Sequence, residues 1–501
     1  MKYTYILPLI ALTLSCNVSK NSYKIKKDSK VVEYANTITA EELKQHLSII
    51  ASDEYEGRET GKKGQIMTAE YLKNEFIKDG VAPGNKGDYY QNFPLIETEK
   101  PDANFSVNNM KFNFLEDFYF FQSFSKIESF EIDLSNIVSV NHGIEEEVVN
   151  NYRNIDVKGK AVVISLDKVD GFESWNWRKK LEVATKNGAT TVFFSSKDFE
   201  INRDKLKHFL AGSSLNLVSK EKRNKSIPFF FISNNVEIYL FGINQMNEEE
   251  TIINPDLNKL KFEFISNKRT VNTSNVLGFI EGSDEKLKDE IVILTAHYDH
   301  LGIKDGVVYN GADDDGTGTV ALLELAEAFQ KAKNEGNGPK RSILIMPVSG
   351  EEKGLLGSKY YTENPVYPLA NTVVDLNIDM IGRLDENHDK PDYVYLIGAD
   401  KISKELHSVS EAANKTYTKL KLDYTFNDEN DPNRFYYRSD HYNFVKKGIP
   451  VIFYFSGVHE DYHQSTDEID KIMFDKVEHI TRLVFYTAWE VANKPTRLII
   501  D

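Results

Sequence analysis

Between residues 275 and 455 the sequence holds short apolar runs that alternate with stretches of helical periodicity. Near-continuous apolar runs are typical of strands buried on both faces, which occur where helices cover both sides of a sheet. The helix predicted over Val320–Lys331 places its apolar side chains on one stripe, as a helix packed on a sheet requires. The pattern predicts an α/β fold with a mixed central sheet covered by helices. The predicted strands are Val276–Gly282, Ile291–Ala296, Ser342–Val348, Thr372–Ile378, Tyr393–Gly398 and Val451–Phe455.

The sequence before this sheet has a different pattern of apolar and polar residues. Residues 36–114 contain two helical segments joined by the polar loop Glu56–Gly64. Residues 115–258 carry short apolar runs around a single helix, which predicts a small separate α/β module. We therefore expect one domain formed by residues 36–114 and 259–501, with residues 115–258 inserted into it. The strands predicted in the insert are Ala161–Leu166, Thr191–Ser196 and Ile227–Ser233.

The first residues are similar to a bacterial export signal. Lys2 precedes an apolar run that ends at Leu14 and is far shorter than the roughly 20 residues of a membrane-spanning helix. A small residue then precedes Cys16, as in a bacterial lipoprotein signal that is cleaved before a lipid-bearing cysteine. We expect a signal peptide over 1–15, a tether over 16–35, and attachment to the cell envelope through the Cys16 lipid, which is the expected membrane contact. Without that lipid the protein would be secreted.

The composition restricts the partners and the metal chemistry. A formal net charge of -16 disfavours phosphate-rich partners, so nucleic acid is not an expected ligand. The single cysteine allows neither an intramolecular disulfide nor a cysteine-based zinc site. Any bound metal must therefore be held by histidine and carboxylate side chains.

Such side chains follow the ends of several predicted strands. Because strand ends meet at one edge of an α/β sheet, we expect these groups to gather there. Zinc binds imidazole nitrogen and carboxylate oxygen, and two ions about 3.5–4 Å apart can activate a water molecule. Taken alone, an Asp-Asp-Asp-Gly run is a turn or a helix cap, and its spacing does not choose among the three aspartates. The groups are His297, Asp299, His300, Asp313, Asp314, Asp315, Glu351, Glu352, Asp379, His459, Glu460, Asp461 and His463.

The segment His459–His463 spells H-E-x-x-H, the motif of zincin metalloproteases. In zincins this motif lies on a helix, which turns both histidines toward one zinc ion. Here it follows the predicted strand Val451–Phe455 and the breaker pair Ser456 and Gly457, so we expect a loop. The zincin interpretation is therefore disfavoured.

Six motifs occur in one order: TAHYDHLG, NGADDDGTGTVALLELA, SGEEKGLLGS, NIDMIGR, RSDHYNF with GIPVIFYF, and DYHQSTDE. Together they closely resemble the M28 metallopeptidase family, and EGRETGKKG and TAEYLKNEF resemble its N-terminal portion. The insert resembles a protease-associated (PA) domain. The resemblance implies the zinc exopeptidase fold of the phosphorylase/hydrolase type.

The resemblance also implies a role for each site residue. Glu351 would be the general base, and Asp299 would orient His297 through the second ring nitrogen. The ligands of two zinc ions would be His297 and Asp379 for one ion, Glu352 and His463 for the other, and Asp314 as the bridge between them.

The implied activity is hydrolysis of peptides by a zinc-dependent exopeptidase, with an aminopeptidase as the first expectation. Three alternatives stay open: a carboxypeptidase-type M28 hydrolase, a single-zinc glutaminyl cyclase of the same fold, and a non-catalytic protein that binds through the PA-like insert. The complete ligand set favours two ions and catalysis. The sequence leaves open the direction of cleavage, the preferred side chain and the oligomeric state.

Overall fold

A computed structural model describes residues 23–121, 127–218, 226–242 and 258–501. The predicted signal peptide and Cys16 lie outside these residues. The chain divides into two compact units, one formed by Met1–Phe93 with Thr273–Asp501 and the other by Pro94–Asn272. A search of the described helices finds none with the length and apolar character needed to cross a bilayer.

The first unit is built on a mixed sheet with eight strands in its described part. The four middle strands are parallel, and the strand next to this group on each side, Gly278–Ile280 and Tyr393–Ile397, runs antiparallel to it. This arrangement confirms the predicted mixed central sheet. Across the sheet the strands are Ala82–Pro83, Gly278–Ile280, Ser342–Val348, Ile291–His297, Thr372–Ile378, Val451–Phe455, Tyr393–Ile397 and Lys421–Asp423.

Helices cover both faces of this sheet, as the apolar runs predicted. Val292 and Leu294 belong to a core that includes the long helices Gly318–Asn334 and Phe474–Asn493. Their neighbour Ile293 joins a second core on the opposite face, where the shorter helices pack. The other helices of this unit are Ser29–Ala35, Ala40–Ile50, Lys63–Lys78, Leu356–Glu363, Lys404–Ala413 and His441–Val445.

Two sheets, of five and four strands, lie wholly within the described part of the second unit. The first has the order Phe118–Tyr119, Phe229–Ile232, Thr191–Ser195, Ala161–Ser165, Ile137–Ser139, and its last four strands are parallel. The second has the order Met110–Asn113, Asp102–Val107, Lys259–Ile265, Phe130–Asp133 and is antiparallel. The helices are Trp177–Lys186, Phe199–Ala211 and Asn234–Gly242.

The bounds of this second unit differ from the predicted insert of residues 115–258. Strand Asp102–Val107 pairs along its whole length with Lys259–Ile265, so the unit begins earlier and ends later than predicted. Asp102–Val107 alternates buried and exposed side chains and therefore lacks the continuous apolar run by which the other strands were predicted. The assignment of this unit as a PA domain stays a prediction.

Candidate metal centre

The four parallel strands of the central sheet end at one edge, and the predicted site residues lie there. His297 is the last residue of its strand, and Asp379 directly follows the strand Thr372–Ile378. Glu352 and His463 lie in the loops that follow two other strands of this group. The sheet topology therefore gathers residues that are far apart in sequence.

Asp314 lies between two groups of these side chains. Its Oδ1 is 3.2 Å from His297 Nε2, and this ring nitrogen is also 3.7 Å from Asp379 Oδ1. Its Oδ2 is 3.2 Å from His463 Nε2, which is 3.3 Å from Glu352 Oε2. One carboxylate thus faces two sets of imidazole and carboxylate ligands, as a bridge between two cations would.

The burial of these groups tests whether they suit metal ions. His297 and Asp314 are 1% and 3% exposed, yet Asp314 Oδ2 and Glu352 Oε1 make no hydrogen bond within the described part of the chain. A buried carboxylate oxygen without a donor is costly, and a bound cation removes that cost. Imidazole nitrogen with carboxylate oxygen is also a donor set that zinc accepts, so the residues fit zinc ions.

The three consecutive aspartates have different partners. Asp313 Oδ1 accepts hydrogen bonds from the Gly382 N–H at 2.6 Å and the Thr317 hydroxyl at 3.0 Å. Asp315 is also occupied and fixes the loops around it, whereas Asp314 is the one of the three within ion-pair distance of the predicted ligands His297 and His463. The contacts thereby identify Asp314 as the candidate bridge among three consecutive aspartates that spacing alone could not tell apart. The N–H groups that donate to Asp315 are those of His297, Gly318 and Met380.

The histidines act as counter-ions for the buried carboxylates. Burial and the charge of Asp314 would both raise the pKa of Glu352, but the close imidazoles of His300 and His463 outweigh them and lower it to about 2. Burial would lower the pKa of His463, but Asp314 and Glu352 raise it to about 10. Zinc ions bound here would replace the protonated histidines as the counter-charge of these carboxylates.

Glu351 lines the same cavity as His297, Asp314 and Asp379. Burial raises the pKa of Glu351 well above its ordinary value, and the neighbouring Glu352 raises it further. A carboxyl group that holds a proton more tightly than usual suits proton transfer near neutral pH.

Asp299 contacts His297 in a different way from the predicted one. His297 Nδ1 is 3.0 Å from the backbone carbonyl oxygen of Asp299 and 3.9 Å from its carboxylate Oδ1. The carboxylate instead accepts hydrogen bonds from the Thr60 hydroxyl at 2.7 Å and the Glu351 N–H at 3.2 Å. Asp299 thus contacts the imidazole through its backbone and fixes the Glu351 loop through its side chain.

His300 was quoted in the motif TAHYDHLG but received no role from the sequence. It is fully buried, and its Nδ1 lies 2.8 Å from Glu352 Oε1 and 3.9 Å from Asp314 Oδ2. Gly311, with φ 55°, leaves room for this ring, because a Cβ there would lie 2.4 Å from His300 Cδ2. His300 therefore supports Glu352 and offers a further nitrogen to the second group of ligands.

Arg58, in the loop EGRETGKKG, is a second residue without a predicted role. Its guanidinium is fully buried and donates only to backbone carbonyl groups among the described contacts. These groups lie beside the segments that carry His297 and Asp314, so Arg58 holds both segments in place. The acceptors are the carbonyl oxygens of Ile50, Tyr298, Asn310 and Gly311.

The H-E-x-x-H segment has no helical conformation. His459 Nε2 lies 3.2 Å from Asp313 Oδ2, whereas His463 Nε2 reaches Asp314 and Glu352. The two rings therefore contact different aspartates, which is not the zincin arrangement.

The mixed sheet thus carries a cluster of histidine and carboxylate side chains at the edge of its parallel strands. Residues 275–488 match the sequence model of peptidase family M28. The matched segment contains all five predicted ligands, Glu351 and Asp299.

Curated relatives match about half of the chain. A probable zinc metalloprotease of Pyrenophora tritici-repentis is 27% identical over 268 residues, which cover 45% of this chain and 53% of the relative. Aminopeptidase YwaD of Bacillus subtilis is 26% identical over 268 residues, covering 52% of this chain and 53% of the relative. The chain thus spans about half the length of these relatives.

A solved structure shares the fold over most of the chain. The aminopeptidase from Aneurinibacillus sp. strain AM-1 superposes with a TM-score of 0.55 at 17% sequence identity. The match covers 94% of this chain and 98% of that one.

Proposed function

We propose that this protein is a zinc-dependent aminopeptidase that binds two zinc ions. The observation that carries the proposal is the position of Asp314 between His297 with Asp379 and His463 with Glu352. Relatives named zinc metalloprotease and aminopeptidase support it.

The chemistry follows from the residues around the cavity. Zinc ions, when bound, polarise the scissile carbonyl group and lower the pKa of the attacking water. Glu351 accepts a proton from that water and passes it to the leaving amine, because its carboxyl lines the same cavity and holds a proton readily. Asp299 keeps Glu351 in place through the Glu351 N–H.

The substitution Glu351→Gln tests this assignment. We expect kcat to fall by about 10²–10⁴-fold, because proton transfer is lost while the ligands stay intact. Metal analysis should still find two zinc ions per chain. Near wild-type turnover by the variant would refute the base, and one zinc ion in the wild type would favour the single-zinc cyclase.

The direction of cleavage needs its own experiment. We expect hydrolysis of peptides with a free N-terminus, whether the C-terminus is free or amidated, and no hydrolysis of the same peptides after N-acetylation. Cleavage of acetylated peptides that requires a free C-terminus would instead identify a carboxypeptidase.

We also propose that the protein is exported and anchored to the cell envelope by a lipid on Cys16. Labelled fatty acid should be incorporated into the wild type and not into Cys16→Ser, and the variant should leave the membrane fraction. An unlabelled wild type in the soluble fraction would contradict the anchor.

A further inference from the structure

The cavity beside the predicted metal ligands is lined partly by ionisable and partly by apolar side chains. The ionisable lining includes the ligands His297, Asp314 and Asp379. Most of the remaining lining is apolar, and Arg438 is the lining residue whose positive charge is permanent. The apolar lining residues are Met380, Phe435, Phe453, Phe455 and Val458.

Arg438 is held on this lining by two contacts. Its Cζ lies 4.8 Å from the centroid of the Phe435 ring, and one terminal nitrogen donates to the Tyr462 hydroxyl at 3.2 Å. Both partners also line the cavity. A surface arginine is ordinarily solvated and mobile, but these contacts fix the guanidinium plane at the cavity.

The donors of Arg438 are mostly unused. A guanidinium carries five N–H groups, and the described contacts of Arg438 occupy one of its nitrogens. Within the described residues no carboxylate lies within ion-pair distance of Arg438, although its side chain is exposed. The ligand carboxylates of Asp314, Glu352 and Asp379 have histidine partners and do not need Arg438.

We propose that Arg438 recognises a carboxylate of the peptide substrate. That carboxylate is either the side chain of an acidic N-terminal residue or the C-terminus of a short peptide. A guanidinium binds carboxylate through two parallel hydrogen bonds, and the rigid position of Arg438 reduces the ordering cost of that pairing. The inference rests on the proposed peptidase function and adds a preference for anionic substrates.

Two matched substrate pairs distinguish the sources of the carboxylate. Glu-p-nitroanilide and Gln-p-nitroanilide differ in the side-chain charge, and Leu-Gly and Leu-Gly-amide differ in the terminal charge. In the zinc-loaded wild type we expect the anionic member of one pair to have the higher kcat/KM. In Arg438→Gln the ratio of the two kcat/KM values, anionic over neutral substrate, should fall by about 10–100-fold. The change should lie mainly in KM, because a charged hydrogen-bond pair is lost.

Two further variants control for indirect effects. Arg438→Lys keeps the charge without the paired donors and should recover part of the ratio. Arg434→Gln is the matched control, because Arg434 is also exposed and lies over an aromatic ring, that of Tyr437 at 4.7 Å, but does not line the cavity. It should leave both ratios unchanged.

Each outcome has one meaning. A lower ratio for the nitroanilide pair assigns the side-chain carboxylate, and a lower ratio for the Leu-Gly pair assigns the terminal carboxylate. Equal ratios in the wild type and Arg438→Gln overturn the inference, while continued cleavage leaves the proposed peptidase function intact. If the zinc-loaded wild type cleaves none of the four substrates, both proposals fail.

Discussion

The metal edge of the central sheet and the core of the Pro94–Asn272 unit are both buried, but opposite kinds of side chain build them. At the edge, His297, His300 and Asp314 are at most 3% exposed and contact other ionisable groups. In the second unit, Phe230 lies with its ring centroid 4.8 Å from Phe262 and 5.6 Å from Phe193. One region buries charge and the other buries aromatic rings.

This difference separates function from stability. Apolar burial contributes favourable free energy roughly in proportion to area, about 25 cal/mol per Å². Buried ionisable groups oppose folding unless each one finds a partner, and Asp314 Oδ2 and Glu352 Oε1 make no hydrogen bond in the described chain. Changes at the edge should therefore alter metal binding and turnover, whereas changes in the aromatic core should alter the free energy of unfolding.

The largest effect is expected from Asp314→Asn. The amide is a poor bridging ligand, so we expect loss of metal together with a fall in kcat/KM of at least about 10³-fold. Inductively coupled plasma mass spectrometry and steady-state kinetics measure the two effects on the same sample.

Asp313→Asn is the matched control for this change. Asp313 Oδ1 accepts from the Gly382 N–H, an interaction the amide oxygen can retain, so the variant should keep its metal. A free energy of unfolding lower by about 1–3 kcal/mol is expected, because the charged pair with His459 is lost. Two zinc ions bound to Asp314→Asn would show that Asp314 is not the bridge.

Phe230→Ala should destabilise the protein by about 3–5 kcal/mol, because it removes a fully buried ring from the aromatic core. The zinc content and kcat/KM of the folded variant should match the wild type. Chemical denaturation, monitored by fluorescence, measures the free energy of unfolding. Metal analysis at denaturant concentrations below the unfolding transition measures the zinc content.

An exposed position gives the control for the aromatic core. Ile265 is 62% exposed, so Ile265→Ala should change the free energy of unfolding by less than about 0.5 kcal/mol. Loss of zinc from folded Phe230→Ala would show that the two regions are not separable.

The same contrast explains which strands could be predicted from the sequence. Ser342–Val348, Thr372–Ile378 and Val451–Phe455 have the predicted bounds, because burial on both faces makes each one a continuous apolar run. Asp102–Val107 was missed because only its alternate residues are buried, so it forms no continuous apolar run. It pairs with the nearby strand Met110–Asn113 as well as with the distant strand Lys259–Ile265.

Some features of the site could likewise be predicted from the sequence, and others could not. Strand ends and motifs predicted which ligands would gather, because the topology of a parallel sheet places those ends together. The roles of Arg58 and His300 depend on tertiary contacts with Gly311, which sequence spacing does not report. The contact of Asp299 with His297 through a backbone carbonyl was equally beyond prediction, since every residue has one.

Glu324 is a buried carboxylate away from the metal edge, and it can be compared with Glu352 by the counter-charge that each one has. Glu324 is 1% exposed in its side chain, and His46 Nε2 lies 3.7 Å from its Oε1. Burial raises the pKa of Glu324 to about 8, and burial also lowers the pKa of His46, so the histidine does not supply a counter-charge. At Glu352 two histidines do supply it, and the pKa shifts in the opposite direction, to about 2.

Glu324→Gln should therefore change how stability depends on pH. Between pH 4.5 and about pH 8 folded Glu324 holds a proton that the unfolded chain releases, so wild-type stability falls as the pH rises through this window. The glutamine oxygen still accepts from the Thr39 N–H, which lies 3.1 Å from Glu324 Oε2, but it does not ionise. Urea unfolding should give equal stabilities near pH 4 and a variant more stable by about 4–5 kcal/mol near pH 9, since a pKa difference of one between the folded and unfolded states is worth about 1.4 kcal/mol. Parallel pH profiles for the two proteins would instead mean that Glu324 ionises freely in the folded state, and that burial without a counter-ion does not govern the charge of a carboxylate in this fold.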